Sequence, residues 1–290
     1  MASKNRITVR GLNLVFAPEV HVIARQAVNP VGLASLLAIE GSENWETNTD
    51  IAAQKVVEIG GRICYRSFER PRPGGNKAYI DHILEVKHGS VLEHAVWTLA
   101  FTGVSRTLTH EIVRHRVGLS PSQESQRYVN ASDTAFVVPP LYEDAVREAV
   151  AYCEAPGLTL SSCVSSIYRE VKYCSDAAYT GLHWMMSVEE ARNRYEIACD
   201  YLGDLPMPKG LTGTAATKAV REAARSMLPG AAETRIQITM NARALRHFIE
   251  LRGSAGADAE MRRLCRVLLP VIQSEAPHLF GDLSVEEEGS

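Results

Sequence analysis

"AVWTLAFTGVSRTLTHEIVRHR", residues 95–116, changes its period halfway along. Up to Phe101 the side chains alternate, with Trp97, Leu99 and Phe101 on one side and Val96, Thr98 and Ala100 on the other, the spacing of a strand. After Ser105 the period is helical. Leu108 and Ile112 lie one turn apart, and Ser105 brings a hydroxyl able to cap the first turn. The cationic triplet Arg114, His115, Arg116 then falls at the helix end or just past it.

The same mixture runs through the chain. "ITVRGLNLVF" (7–16) reads as a strand, "VGLASLLAIE" (31–40) as a short helix, and "GSENWETNTD" (41–50) as a polar loop. "IAAQKVVEIGGRICYRSF" (51–68) predicts a helix from about Ile51 that is interrupted at Gly60-Gly61. "ERPRPGGNK" is a loop, and "AYIDHILEVKHG" is an amphipathic helix closing on Gly89. Residues 141–203 read as mostly helical, with a break at "LPMPKGLTG". "TAATKAVREAARSML" is a helix ended by Pro229-Gly230, and "TRIQITM" alternates like a strand. "NARALRHFIELR" (241–252) is a helix capped by Asn241, and "ADAEMRRLCRVLLPVI" is another. Helices and isolated strands without regular βαβ alternation favour an α+β fold with an antiparallel-type sheet.

The chain has 290 residues, 46% hydrophobic and 22% charged, with net charge −3. That is a globular composition, long enough for one large domain or two small ones. A mildly acidic chain lacks the basic footprint of a nucleic-acid binder. The six cysteines are scattered, which suits neither a disulfide framework nor a zinc site. There is no secretory h-region and no apolar run near ~18 residues, so a cytoplasmic protein without a membrane span is expected.

Two segments carry the chemistry. In "RHRVGLSPSQESQRYV" (114–129), Arg114, His115, Arg116 and Arg127 bracket Ser120, Ser122, Gln123 and Ser125. Guanidinium groups give bidentate, charge-assisted hydrogen bonds to phosphate. The same residues also read as a solvated basic patch at a helix C-terminus. In "NARALRHFIELR", Asn241, Leu245 and Phe248 share a face with Arg252, either a core helix ending in a surface arginine or a helix aiming one. His88 and His94 in "KHGSVLEH" do not have metal-ligand spacing. The residues alone point to an anion or phosphate site built from arginines on loops and helix ends.

"RHRVGLSPSQESQRY" resembles the signature of the flavin-dependent thymidylate synthases: Arg-His-Arg, seven or eight residues, Ser, then Arg-Tyr. Here eight residues separate Arg116 from Ser125. "HGSVLEHAVWTLAF", "REAARSMLP" and "NARALRHFIELRGSAGADAEMR" resemble further blocks of that family, in the same order over about residues 51–270. The resemblance implies a domain at 51–280, an N-terminal extension at 1–50 packed on it, a flexible acidic tail at 281–290, and a homotetramer sharing sites between subunits. It implies conversion of dUMP to dTMP with methylenetetrahydrofolate as carbon donor and FAD and NADPH as reductants.

Residue by residue, the resemblance puts Ser90, Arg114, His115, Arg116, Asn241 and His247 at FAD, with His88 near it. Gln123 would lie near both ligands. Glu111, Ile112, Val113, Arg114, Glu124, Ser125, Gln126, Arg127 and Arg225 would line the nucleotide. Arg252 would sit on the uracil ring as the catalytic residue. The loop after Arg116 is one residue longer than the commoner form, and Glu111 stands where the family often carries Gln. No cysteine falls within the four blocks. The alternatives are a nucleic-acid-binding protein, which the acidic charge disfavours, and a non-catalytic nucleotide-binding paralogue.

Overall fold

A computed structural model describes residues 5–153, 175–208 and 210–285. The chain falls into two compact units, both discontinuous in sequence. Unit 1 holds Met1–Pro18, Thr102–Glu111 and Gln123–Ile236; unit 2 holds Glu19–Phe101, Ile112–Ser122 and Gln237–Ser290. The expected 1–50 extension therefore divides at Pro18. Acidic-tail residues 286–290 and helical-reading residues 154–174 lie outside the described residues.

Unit 1 opens with β1 (Arg6–Val9) and β2 (Leu12–Val15), paired antiparallel with Val9 opposite Leu12. The stretch read as one strand is thus a hairpin. Arg10 and Gly11 both have positive φ, +50° and +80°, which suits a two-residue turn matched to strand twist. β2 also pairs in parallel with a short strand, Phe136–Val137, so this three-stranded sheet mixes both directions. Two helices, Glu143–Cys153 and Asp176–Asp204, cover it. Leu12, Leu14, Phe16, Phe136, Val146, Leu182 and Met185 form the core between them. A helix at Gly213–Ala224 ends in a 3-10 turn, Arg225–Met227.

Unit 2 begins with β3 (Glu19–Arg25), followed by α1 (Pro30–Glu40) and α2 (Ala52–Tyr65). Asn29 caps α1 through its side-chain oxygen, and Pro30 takes the first turn. α1 is apolar along nearly its whole length, yet Leu37 is its single fully buried residue. α2 runs unbroken through Gly60 and Gly61. α3 is Gly75–Glu85, followed by a 3-10 turn at Gly89–His94.

β4 is Val96–Ser105, with Trp97, Leu99 and Phe101 buried, as the alternation predicts. α4 (Arg106–Ile112) follows directly, and Ser105 Oγ accepts the Leu108 N–H at 2.9 Å. The next segment, expected as a loop, contains β5 (Leu119–Gln123). Pro121 is tolerated there because β5 is an edge: the four-stranded sheet has the order β3-β4-strand 233–241-β5. Strand Glu233–Asn241 leads straight into α5 (Ala242–Arg252); α6 is Ala259–Glu275. Among the described residues no helix is long and apolar enough to cross a membrane.

Candidate functional site

The predicted site residues gather in two clusters, one in each unit. In unit 2 the RHR triplet follows the end of α4. Arg114 and Arg116 are exposed and His115 is half-buried. Arg252 ends α5, where its Nε donates to His115 Nε2 at 2.9 Å. The His115 ring also packs edge-on against Phe248, with centroids 5.1 Å apart. The helical face read from Asn241 to Arg252 is real, since Leu245 and Phe248 are wholly buried.

Asn241 caps α5. Its Oδ1 accepts the Ala244 N–H at 2.9 Å, which leaves the amide nitrogen as the outward donor. Gly118, with φ +70°, packs under that amide. A Cβ there would come within 2.8 Å of Asn241 Nδ2 and 2.9 Å of Ala244 Cβ. These residues line a cleft of about 490 Å³ with Leu92, Val117 and His247. Its carboxylates are already matched. Glu93 pairs with Arg243 at 2.7 Å, and Glu250 lies 3.6 Å from Arg246. The exposed Arg116 directly precedes Val117 of this lining, and an amide donor, a glycine cradle and neutralised acids suit an anionic ligand with a flat ring system.

Ser90 is exposed and faces an adjoining cleft of about 360 Å³, shared with Tyr65, Lys87, His88 and Arg243. Tyr65 stacks on His88 with centroids 6.0 Å apart. Sequence reasoning passed over two residues here. Arg243 lines both clefts, and Cys64, outside the four blocks, lines the second. Cys265, on α6, is buried, and burial pushes its thiol up to about 12.

In unit 1 the segment 123–127 is clamped from several sides. Gln123 Nε2 donates to Thr109 Oγ1 at 2.7 Å, leaving its carbonyl oxygen as the acceptor. Glu124 is half-buried and held by two arginines. Its carboxylate takes Arg235 Nη1 at 2.9 Å, and its main-chain oxygen takes Arg106 Nη1 at 3.0 Å. Arg106 was also missed. Burial, together with the neighbouring Arg225 charge, lowers its pKa from the usual arginine value. Its only sequence signal is its place as the first residue after the Ser105 cap.

The Ser125 carbonyl accepts the N–H groups of Tyr128 and Val129, closing a turn, and its hydroxyl accepts the Arg127 N–H at 3.4 Å. Among the described residues no base is hydrogen-bonded to that hydroxyl, which supports a binding role over a nucleophilic one. Arg127 Nε lies 2.6 Å from Glu222 Oε2, an ion-pair distance without hydrogen-bond alignment. Gln126, Arg225 and Glu111 are half-buried. Ile112 is wholly buried, so only its main chain remains for a ligand, while Val113 is 40% exposed.

Residues 48–278 match the family model of the thymidylate synthase complementing protein. The flavin-dependent thymidylate synthase of Mycobacteroides abscessus is 39% identical over 244 residues, 83% of this chain and 84% of that protein. The enzyme of the same name from Mycolicibacterium vanbaalenii is 40% identical over 243 residues, 83% of each chain. Among solved structures, Helicobacter pylori thymidylate synthase X with FAD and dUMP aligns with a TM-score of 0.54 at 21% identity, covering 91% of this chain and 98% of that one. The UMP/dUMP methylase PolB of Streptomyces cacaoi, bound with 5-Br dUMP, aligns with a TM-score of 0.55 at 20% identity over 92% and 95%. The two structures share the fold; the family model and the relatives near 40% identity carry the assignment, and the chain belongs to the flavin-dependent thymidylate synthases.

Proposed function

We propose that this chain converts dUMP to dTMP, taking the carbon from methylenetetrahydrofolate and the reducing equivalents from NADPH through FAD, as a cytoplasmic homotetramer. The carrying observation is the end of α5, where a packed helix holds the Arg252 guanidinium in place. Ser90, Arg114, His115, Arg116, Asn241 and His247, with Gln123 near both ligands, hold the flavin, which supplies hydride chemistry when bound. Residues 123–127 with Arg225 hold the nucleotide's phosphate and sugar, in sites shared between subunits of the tetramer.

Pyrimidine C5 is a poor nucleophile. A fixed positive charge beside the N3–C4=O edge stabilises negative charge developing on the ring and so makes C5 reactive. Arg252 supplies that charge and does not lose its proton. A thiol addition has little support, because no cysteine falls within the four blocks and burial pushes the nearby Cys265 thiol up to about 12. Arg252→Lys keeps a cation but loses the planar fork. Turnover should fall by about two to three powers of ten, with FAD content and reduction by NADPH unchanged. Stopped-flow absorbance separates the half-reactions. A wild-type rate of dUMP-dependent flavin oxidation in this variant removes Arg252 from catalysis, and a purified protein that takes up no FAD defeats the whole reading.

A further inference from the structure

The bond between Arg252 and His115 has a polarity. Arg252 Nε donates to His115 Nε2 at 2.9 Å. A guanidinium has no acceptor, so Nε2 must offer its lone pair, and His115 is neutral with its hydrogen on Nδ1. The ring cannot turn away easily. Phe248, wholly buried, meets it edge-on at 71°, and His247 lies beyond at 6.3 Å. A guanidinium tied at Nε to a pinned ring has the orientation of its plane set as well as its position.

We propose that His115 is a positioning residue: its neutral Nε2 fixes the plane of the Arg252 guanidinium against the pyrimidine edge, and protonating His115 releases it. This rests on the reading of Arg252 as the uracil-facing cation. It adds a requirement that charge alone does not make, namely an acceptor at His115. The groups around His115 sharpen the switch. Arg252 and His247 face it from α5, Arg114 and Arg116 flank it, and the neutral Cys265 thiol of α6 sits near Arg252. Glu111 precedes it by four positions in the sequence. A protonated His115 would have no lone pair for Arg252 and would add a positive charge beside it.

The test compares wild type, His115→Gln and His115→Phe as FAD-loaded protein, with rates normalised to flavin content. Gln keeps an acceptor at every pH, whereas Phe keeps a ring and loses the acceptor. At saturating dUMP, the wild-type rate of dUMP-dependent flavin oxidation should fall on the acid side. His115→Gln should stay within about tenfold of wild type and lose that acid limb. His115→Phe should be slower by about a hundredfold at every pH, in kcat rather than KM. A second readout needs no turnover: in protein labelled with 15N-histidine, the signals lost in His115→Gln should be those of a neutral Nδ1–H ring at about pH 8. An Nε2–H or cationic ring there overturns the proposal, as does wild-type kcat and pH profile in His115→Phe. If wild type itself shows no dUMP turnover, the thymidylate synthase reading falls and takes the proposal with it, even where the tautomer is as expected.

Discussion

Asn241 performs two tasks with one amide. The oxygen caps α5 and the nitrogen points toward the cleft over Gly118. Asn241→Asp separates them, because aspartate caps as well as asparagine but offers no donor and adds negative charge. The melting temperature should barely move, while FAD affinity in a fluorescence titration should drop by about tenfold or more. The other cluster gives a parallel prediction. On the proposed reading Arg127 contacts the phosphate, so Arg127→Ala should weaken dUMP by about 1.5–3 kcal/mol more than deoxyuridine. Equal weakening in calorimetric titrations would take Arg127 off the phosphate. Glu124 shows where sequence reading stopped. Its carboxylate pairs with Arg235, 111 positions away, and no local pattern announces that pairing.

Elements were most legible where two local signals agreed. "NARALRHFIELR" carries both a cap residue and helical periodicity, and α5 begins and ends where they place it. Ser105 with Leu108 and Ile112 fixed α4 in the same way. Reading failed where a tertiary contact decided. Gly60-Gly61 looked like a helix break. Both sit inside an unbroken α2 because neighbours press on them: a Cβ at Gly60 would lie 2.9 Å from His94 Cδ2, and one at Gly61 would run into the Tyr79 hydroxyl. Gly→Ala in an exposed helix usually stabilises. Here Gly60→Ala should destabilise by about 1–3 kcal/mol through overpacking, measurable by urea unfolding. A gain in stability would show that His94 yields at little cost. The hairpin at Arg10-Gly11 and the edge strand holding Pro121 were missed for a related reason, since both depend on which strand lies alongside.

At the scale of the molecule, acid should unfold unit 2 in two stages. His278 donates from Nδ1 to Asn76 Oδ1 at 2.8 Å, because the Asn76 amide nitrogen is already committed to Glu58 and the Gln54 carbonyl. Burial, with nearby Lys77, lowers its pKa below the usual 6.5. The folded state therefore binds this proton less readily than the unfolded chain. The contribution is complete above about 6.5 and is lost as pH falls toward the folded value. Asp282, hydrogen-bonded by Arg246, sits below the usual 3.8, so its contribution is lost only below about 3.8. Thermal melts should show a shallow loss as pH falls below about 6.5 that His278→Gln removes, and a separate one below about 3.8 that Asp282→Asn removes. A wild-type melting temperature that stays flat as pH falls from about 7 through 6.5 to the carboxylate range would contradict the first stage.

The apolar α1 also bears on how this protein behaves at the bench. Val31 and Ile39 are 78% and 77% exposed, and between Pro30 and Ile39 the helix carries no charge. Such a surface adheres to alkyl and phenyl media, and ammonium sulfate strengthens the adhesion by raising the cost of wetting it. The protein should elute late from a phenyl column, and losses during dilution should grow with salt. Val31→Ser with Ile39→Ser should bring elution forward without changing the far-ultraviolet circular dichroism, because neither side chain is part of the buried core.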